Sequence, residues 1–212
     1  MTINTFLQNV RNSFNARMLD LADGMMDRIY GSRKREIFSR LPSTVVEIGP
    51  GAGANLRYYA PGTKVIAIEP NPAVHPHLAA RAGRNRVDLE IKPIKGEKID
   101  LPDNSVEAVV GSLVLCSVQD PRQVMVEVHR ILKPGGRYIF VEHVAALTGT
   151  RLRWVQERLL SFWRRVFEGC HLNRNTHETI QHAGFSRVDM NCFGLSRRWL
   201  PFAPHIFGRA VK

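Results

Sequence analysis

Between residues 44 and 142, short β-branched runs alternate with runs of helical period, and no other feature of the chain restricts its fold as strongly. Strands are expected at 44–48, 64–69, 87–91, 105–113 and 137–142. Helices are expected at 73–82 and 121–132, and residues 55–59 read as the opening of another. Repeated alternation at this spacing points to a parallel sheet wound in both directions, because helices must cover both of its apolar faces. Lys133-Pro134-Gly135-Gly136 ends a helix and turns the chain into the fifth strand. Past Glu142 the pattern loosens into a helix at 152–167, a short helix at 174–183 closed by Gly184, and strands at 188–193 and 206–212 that pair antiparallel. The expected fold is α/β: a doubly wound, mostly parallel, seven-stranded, Rossmann-like sheet with a C-terminal antiparallel strand. A length of 212 residues with 44% hydrophobic content favours one domain, with residues 1–40 as a helical N-terminal extension or cap.

Within that extension Phe6, Val10, Phe14, Met18, Leu21, Met25 and Ile29 fall three and four apart, on one face of a helix or helix pair that Gly24 and Gly31 can interrupt. Such a face needs a cover. Either it packs over the substrate side of the core, or it dips into a membrane interface where Arg11, Arg17 and Arg28 meet anionic headgroups. The formal charge of +11, from 30 Lys plus Arg against 19 Asp plus Glu, fits a solvated basic surface first. Peripheral association with an anionic membrane comes second, and nucleic acid last because the basic residues are scattered. Cys116, Cys170 and Cys192 are odd in number and widely spaced, which argues against a disulfide framework or a zinc knuckle and for a reducing compartment. No stretch approaches the roughly 18 apolar residues of a membrane span, and no signal-type segment opens the chain. A cytoplasmic location, at most peripherally membrane-bound, is the expectation.

Val45-Val46-Glu47-Ile48-Gly49-Pro50-Gly51-Ala52-Gly53 sets three glycines at alternate positions directly after a strand. Without Cβ atoms they let the backbone turn sharply and approach a ligand. Alone, such a turn is weak support for a site. Glu69 strengthens it: twenty residues after Gly49, at the end of the next strand, a carboxylate can accept hydrogen bonds from both hydroxyls of a ribose. A pyrophosphate cradle would continue as Gly-x-Gly-x-x-Gly, yet the position three after Gly51 is Ala54, followed by Asn55. Glu47 can reach a cationic amino group near the turn. These features favour S-adenosylmethionine over a dinucleotide or a ligand-free relic.

The ordered motifs of residues 40–145 resemble the class I S-adenosylmethionine-dependent methyltransferases. By that resemblance Glu47, Gly49, Pro50, Gly51 and Gly53, with Asn55 following, form the methionine-binding loop, and Glu69 is the ribose-binding acid. Gly96, Glu97 and Lys98 form the segment beside the adenine. Leu101-Pro102-Asp103-Asn104-Ser105 leads into the fourth strand, and Arg130-Ile131-Leu132-Lys133-Pro134-Gly135-Gly136 into the fifth. From about Glu69 to the end the chain is similar to a narrower group, the methyltransferase-like alkyl thiol S-methyltransferases. That likeness rests on Glu69-Pro70-Asn71-Pro72, on the run from Leu113 through Cys116 to Gln119, on Glu142-His143-Val144, and on the tail from Trp199 to Lys212. It adds Pro70, Asn71, Ser112 and Leu113 to the implied cofactor contacts. Members in animal cells carry an apolar N-terminal anchor, from which the charge-interrupted stripe between Phe6 and Ile29 departs. The implied activity is methyl transfer to a small, partly apolar molecule, a thiol ahead of an O- or N-acceptor. A non-catalytic cofactor-binding module is the rival class.

Methyl transfer from a sulfonium depends chiefly on positioning, since the donor is already activated. A thiol acceptor must also lose a proton, and its pKa near 8.5 makes that easy. His143, directly after the fifth strand, is the candidate catalytic residue: a base or orienter for the acceptor, or else a structural hydrogen bonder to a neighbouring loop. Cys116 reads as an apolar wall residue. His171, Asn173, Arg174 and His177 lie where the chain can close over the acceptor. No metal is expected, because His171 and His177 lack a complete ligand set at tetrahedral spacing. Trp154, Phe162, Trp163 and Phe167 are expected to pack core and lid or to line the acceptor pocket.

Overall fold

A computed structural model describes residues 23–38, 40–167, 169–195 and 200–212. Phe6, Val10, Phe14, Met18 and Leu21 of the expected N-terminal stripe lie outside the described residues. The elements are helix α1 (Asp23–Phe38), strand β1 (Thr44–Ile48), a 3-10 turn (Leu56–Tyr58), β2 (Lys64–Ile68), α2 (His75–Asn85), β3 (Asp88–Lys92), β4 (Val106–Ser112), α3 (Pro121–Ile131), β5 (Leu132–His143), α4 (Arg151–Val166), α5 (Thr176–Gln181), β6 (Arg187–Gly194) and β7 (Pro204–Val211). The strands form the expected seven-stranded sheet in the order β3-β2-β1-β4-β5-β7-β6. Among the described residues no helix is long and apolar enough to cross a membrane. The chain gathers into two compact units, one ending at Lys95 and the other beginning at Gly96.

In the first unit β1 and β3 flank β2, all parallel, from Thr44 opposite Lys64 and Lys64 opposite Asp88. Val45, Val46, Ile48, Val65, Ala67 and Ile68 are buried, as the apolar residues of a parallel sheet covered by helices should be. Leu78 and Ala82 of α2 contribute to the same core. Helix α2 starts with Pro at its first turn and stops where Arg86 turns left-handed at φ 55°. Two expectations change. The segment after β1 makes only a single 3-10 turn, because Tyr59 is extended and Ala60 precedes Pro61, which disfavours continuing a helix. Helix α1 runs unbroken through Gly24 and Gly31, with Tyr30, Lys34 and Phe38 buried at steps of four along one face.

In the second unit β4 and β5 are parallel, and the register shifts between Val106 and Ala108. Lys133-Pro134-Gly135-Gly136, expected as a turn ahead of the strand, is instead absorbed into β5 as an irregularity, with Gly135 at φ 77° supplying the kink. Asp120 caps α3 by accepting from the backbone N–H groups of Arg122 and Gln123, and Val124, Met125, Val128 and Ile131 bury one face of that helix. Strand β7 pairs antiparallel with β5 on one side and β6 on the other, which bears out the expected antiparallel C-terminal pair. Trp154 and Phe162 correct the expectation of packed aromatics: they are 58% and 64% exposed on the outer face of α4. Trp163 and Phe167 stack at 4.1 Å, and Trp163 also meets Phe202. The helical period explains the split, since Trp163 shares a face with buried Gln156, seven residues earlier.

At Gly208 of β7 an added Cβ would overlap the carbonyl oxygen of Asp189 on β6. Gly208→Ala should therefore cost about 1–3 kcal/mol, the usual price of overpacking, and lower Tm by several degrees. Gly83→Ala in α2, where an added Cβ meets nothing within 4 Å, should hold or raise Tm. Paired thermal melts check both.

Candidate active site

In the first unit Gly49, Gly51 and Gly53 have φ of 59°, 56° and 85°, a region that costs glycine little. A Cβ on Gly53 would press on Leu78 and Leu56 at 2.9 and 3.0 Å. The loop is tied down by its own backbone: the N–H of Gly49 donates to Ile68 O and that of Gly53 to Pro50 O, both at 2.9 Å. Glu69, buried at the end of β2, accepts from Gly51 N and from Asn71 N at 2.9 Å each. One carboxylate thus joins the glycine loop to the loop after β2. Asn71 in turn accepts from Ala73 N, closing the turn that carries Pro70.

Behind this loop Glu47 is 1% exposed. Asn55 Nδ2 donates to its Oε1 at 2.6 Å and Tyr59 Oη to its Oε2 at 2.8 Å. Lys34 of α1 donates to Asn55 Oδ1 at 2.7 Å, so a buried cation backs the amide that holds the carboxylate. Burial pushes the Glu47 carboxyl above the ordinary carboxylate range, against the hydrogen bonds from Asn55 and Tyr59 and the charge of Lys34. Phe38 stacks on Tyr59 at 5.6 Å and locks the arrangement. Neither Lys34 nor Tyr59 follows from the motif reading. The one available signal is a lysine midway along a Tyr30-to-Phe38 helical stripe, a charge on a face that otherwise reads as apolar. A glycine-rich loop flanked by two buried carboxylates suits a ligand that carries an ammonium group and a ribose diol, as S-adenosylmethionine does.

In the second unit β4 ends at Ser112, and Leu113 follows with φ 57°, an uncommon conformation for a branched residue. Its N–H donates to Val141 O at 2.8 Å. Glu142, fully buried, accepts from Val114 N and Leu115 N at 3.1 Å each and so fixes the loop that carries Cys116. Burial pushes the Glu142 carboxyl up to about 7. His143, at the end of β5, is buried with Nε2 2.9 Å from Cys170 Sγ. Trp163 Nε1 donates to the same sulfur at 3.3 Å. Cys170 is held well above the usual thiol range, first by its hydrogen bond to Cys116 and then by burial.

Arg174 threads beneath this cluster, donating to Leu115 O at 2.6 Å and Val118 O at 2.8 Å, with Nη2 3.1 Å from His171 Nδ1. Burial and the neighbouring Arg174 hold His171 below the ordinary histidine range. His177 Nε2 lies 3.8 Å from the exposed carboxylate of Glu178. The cysteine-to-histidine grouping escaped the sequence reading because Cys116, His143 and Cys170 stand 27 residues apart and meet only through the ends of β4 and β5 and the loop after α4. Near Gly96 and Lys98, Glu97 accepts from Gln119 N at 2.9 Å and Asp120 N at 3.2 Å, so its carboxylate holds the turn ahead of α3.

Sheet order and glycine loop agree with the comparisons. The family described as Methyltransferase domain matches residues 46–140. A SAM-dependent methyltransferase of Aquifex aeolicus superposes with a TM-score of 0.63 at 17% identity, covering 92% of this chain and 97% of that one. The cyclase SpnF gives 0.64 at 16%, over 93% and 94%. The chain is an S-adenosylmethionine-dependent methyltransferase with a Rossmann-like fold. Thiol S-methyltransferase TMT1B of Rattus norvegicus is 41% identical over 193 residues, 85% of this chain and 79% of that protein. Thiol S-methyltransferase TMT1A of Homo sapiens is 38% identical over the same shares. The chain belongs to this thiol S-methyltransferase family.

The raised pKa of Glu47 makes stability depend on pH. A carboxyl raised on folding contributes stability that is complete below its unfolded value, here 4.5, and is lost as pH rises through the folded value. The stability of the ligand-free protein relative to Glu47→Gln should therefore decline as pH rises above 4.5. Urea unfolding at a series of pH values checks this, and a flat difference would place the carboxyl in its ordinary range.

Proposed function

We propose that the chain methylates the sulfur of a small, partly apolar thiol, with a thioether and S-adenosylhomocysteine as products. The observation that carries this reading is the 38–41% identity to proteins named thiol S-methyltransferases along 79% of their length. Bound S-adenosylmethionine supplies a methyl group on a positively charged sulfur, which leaves as a neutral thioether. In this reading the backbone from Gly49 through Pro50 and Gly51 to Gly53 encloses the methionine part of the cofactor. Glu47, positioned by Asn55, Tyr59 and Lys34, faces its ammonium group. Glu69 takes the ribose hydroxyls while keeping Gly51 N and Asn71 N. On the second unit Gly96 and Lys98 flank the adenine, and Glu97 acts by shaping that segment. Ser112 and Leu113 present backbone at the end of β4, and His143 acts on the acceptor. Trp163, Phe167 and Phe202 shield it from water, which strengthens any charge interaction at the acceptor atom.

Removing the Glu69 carboxylate deletes charge-assisted hydrogen bonds worth about 1–3 kcal/mol. Glu69→Ala should bind S-adenosylhomocysteine roughly 5- to 150-fold more weakly by calorimetry, at unchanged circular dichroism. Affinity equal to the parent would remove the ribose assignment.

The acceptor class is tested with one carbon skeleton carrying SH, OH or NH₂, incubated with S-adenosylmethionine and read by product mass. Methylation should favour the SH member. Turnover of the hydroxyl or amine member with none of the thiol would replace the sulfur reading by the O- or N-acceptor alternative.

A further inference from the structure

We propose that Cys116, His143 and Cys170 form a zinc(II) site whose fourth position takes the sulfur of the methyl acceptor; the acceptor half of this proposal rests on the thiol reading above.

The two Sγ atoms and one ring nitrogen of His143 all lie within 4.8 Å of one another, and all three residues are buried. Tetrahedral zinc, with bonds of about 2.3 Å to sulfur and 2.0 Å to nitrogen, sets its donors about 3.5–3.8 Å apart. The trio is therefore of ligand-set size. His143 Nε2 and Cys170 Sγ, 2.9 Å apart, need to open by about 0.6 Å to admit the ion.

A disulfide would use the two sulfurs and leave the imidazole aside. Both cysteines are free, and the imidazole converges on them as a third donor. Two sulfurs and one nitrogen suit zinc and disfavour magnesium or calcium, which take oxygen.

The surroundings suit thiolate ligands. Trp163 Nε1 aims an N–H at Cys170 Sγ from 3.3 Å, and the Arg174 guanidinium holds the carbonyls of Leu115 and Val118 on either side of Cys116. Zinc with two thiolates carries no net charge, which lowers the cost of burying it. Two buried polar atoms beside the trio, His143 Nδ1 and Glu142 Oε2, have no hydrogen-bond partner among the described residues. A ligating histidine ordinarily donates its second nitrogen to a carboxylate, a carbonyl or water.

Three protein donors, with a fourth position open, is the arrangement of zinc that acts on a substrate; structural zinc closes all four. Zinc uptake releases the thiol protons of Cys116 and Cys170. The acceptor thiol then binds at the fourth position and loses its own proton to solvent, whereas a free thiol with a pKa near 8.5 stays mostly protonated at neutral pH. Its sulfur lone pair forms the bond to the methyl carbon as the methyl–sulfonium bond breaks, that electron pair passing to the cofactor sulfur. The thiolate charge and the sulfonium charge cancel, leaving two neutral thioethers. The methylated product, no longer anionic, binds zinc weakly and departs. His143 is then a ligand and not a proton acceptor.

The full chain, stripped with chelator under reducing conditions, is titrated with zinc chloride and, separately, with cobalt chloride as a spectroscopic probe. Expected are one zinc per chain by elemental analysis and a cobalt spectrum with sulfur-to-metal charge transfer. The ligand-field bands should shift on adding 1-propanethiol but not 1-propanol. A double variant, Cys116→Ala with Cys170→Ala, should lose the zinc; the parent's cobalt spectrum decides the matter if that variant fails to fold. Absence of stoichiometric zinc, or a Cys116–Cys170 disulfide in a chain that takes up no metal after reduction, would overturn the site. Cobalt bands unmoved by propanethiol would overturn the acceptor position. Full thiol methylation by zinc-free protein would overturn the metal's role and leave the thiol reading standing, whereas a zinc-loaded chain methylating only hydroxyl or amine acceptors would overturn the thiol reading.

Discussion

A carboxylate enclosed by apolar strands must be surrounded by donors or it cannot stay charged, and much of the first unit is organised by how Glu47 meets that demand. It stands between Val46 and Ile48, both buried, one residue from the end of β1. Asn55 and Tyr59 reach it only because the chain after the glycines coils into one 3-10 turn instead of a helix. Lys34 and Phe38 then complete the enclosure from α1. Removing the side chain of Asn55, Tyr59 or Lys34 would leave a buried polar group short of a partner, which costs more than the net worth of the bond itself.

The second unit repeats the device. Glu142 is also one residue from the end of its strand and also fully buried, and it gathers the backbone of the loop after β4 with its Oε1. Because side chains alternate along a strand, a carboxylate at the penultimate position leaves the last residue, His143, turned to a different set of neighbours. In each unit a buried acid shapes a loop at the carboxyl edge of the sheet, where ligands bind in folds of this class.

The likeness to SpnF, a cyclase, limits how much chemistry the fold can dictate. Past β5 the loop after α4 brings Cys170 to His143 and Cys116, and Arg174 buttresses the carbonyls around them. Cys116 lies within the region matched by the broad family, whereas His143, Cys170 and Arg174 follow it.

The sequence by itself determined the strand and helix alternation, the glycine loop and the acid twenty residues after it, because those signals are local: period, β-branching and the conformational freedom of glycine act within a few residues. Most strand positions in the sheet followed within one or two residues. Tertiary structure alone decided how Glu47 is held, that Gly24 and Gly31 lie within one helix, and which of the α4 aromatics point outward. It also decided that cysteines and a histidine spaced 27 residues apart converge. Such encounters depend on which strand ends and loops the folded chain brings together, and no period or spacing along the chain records that.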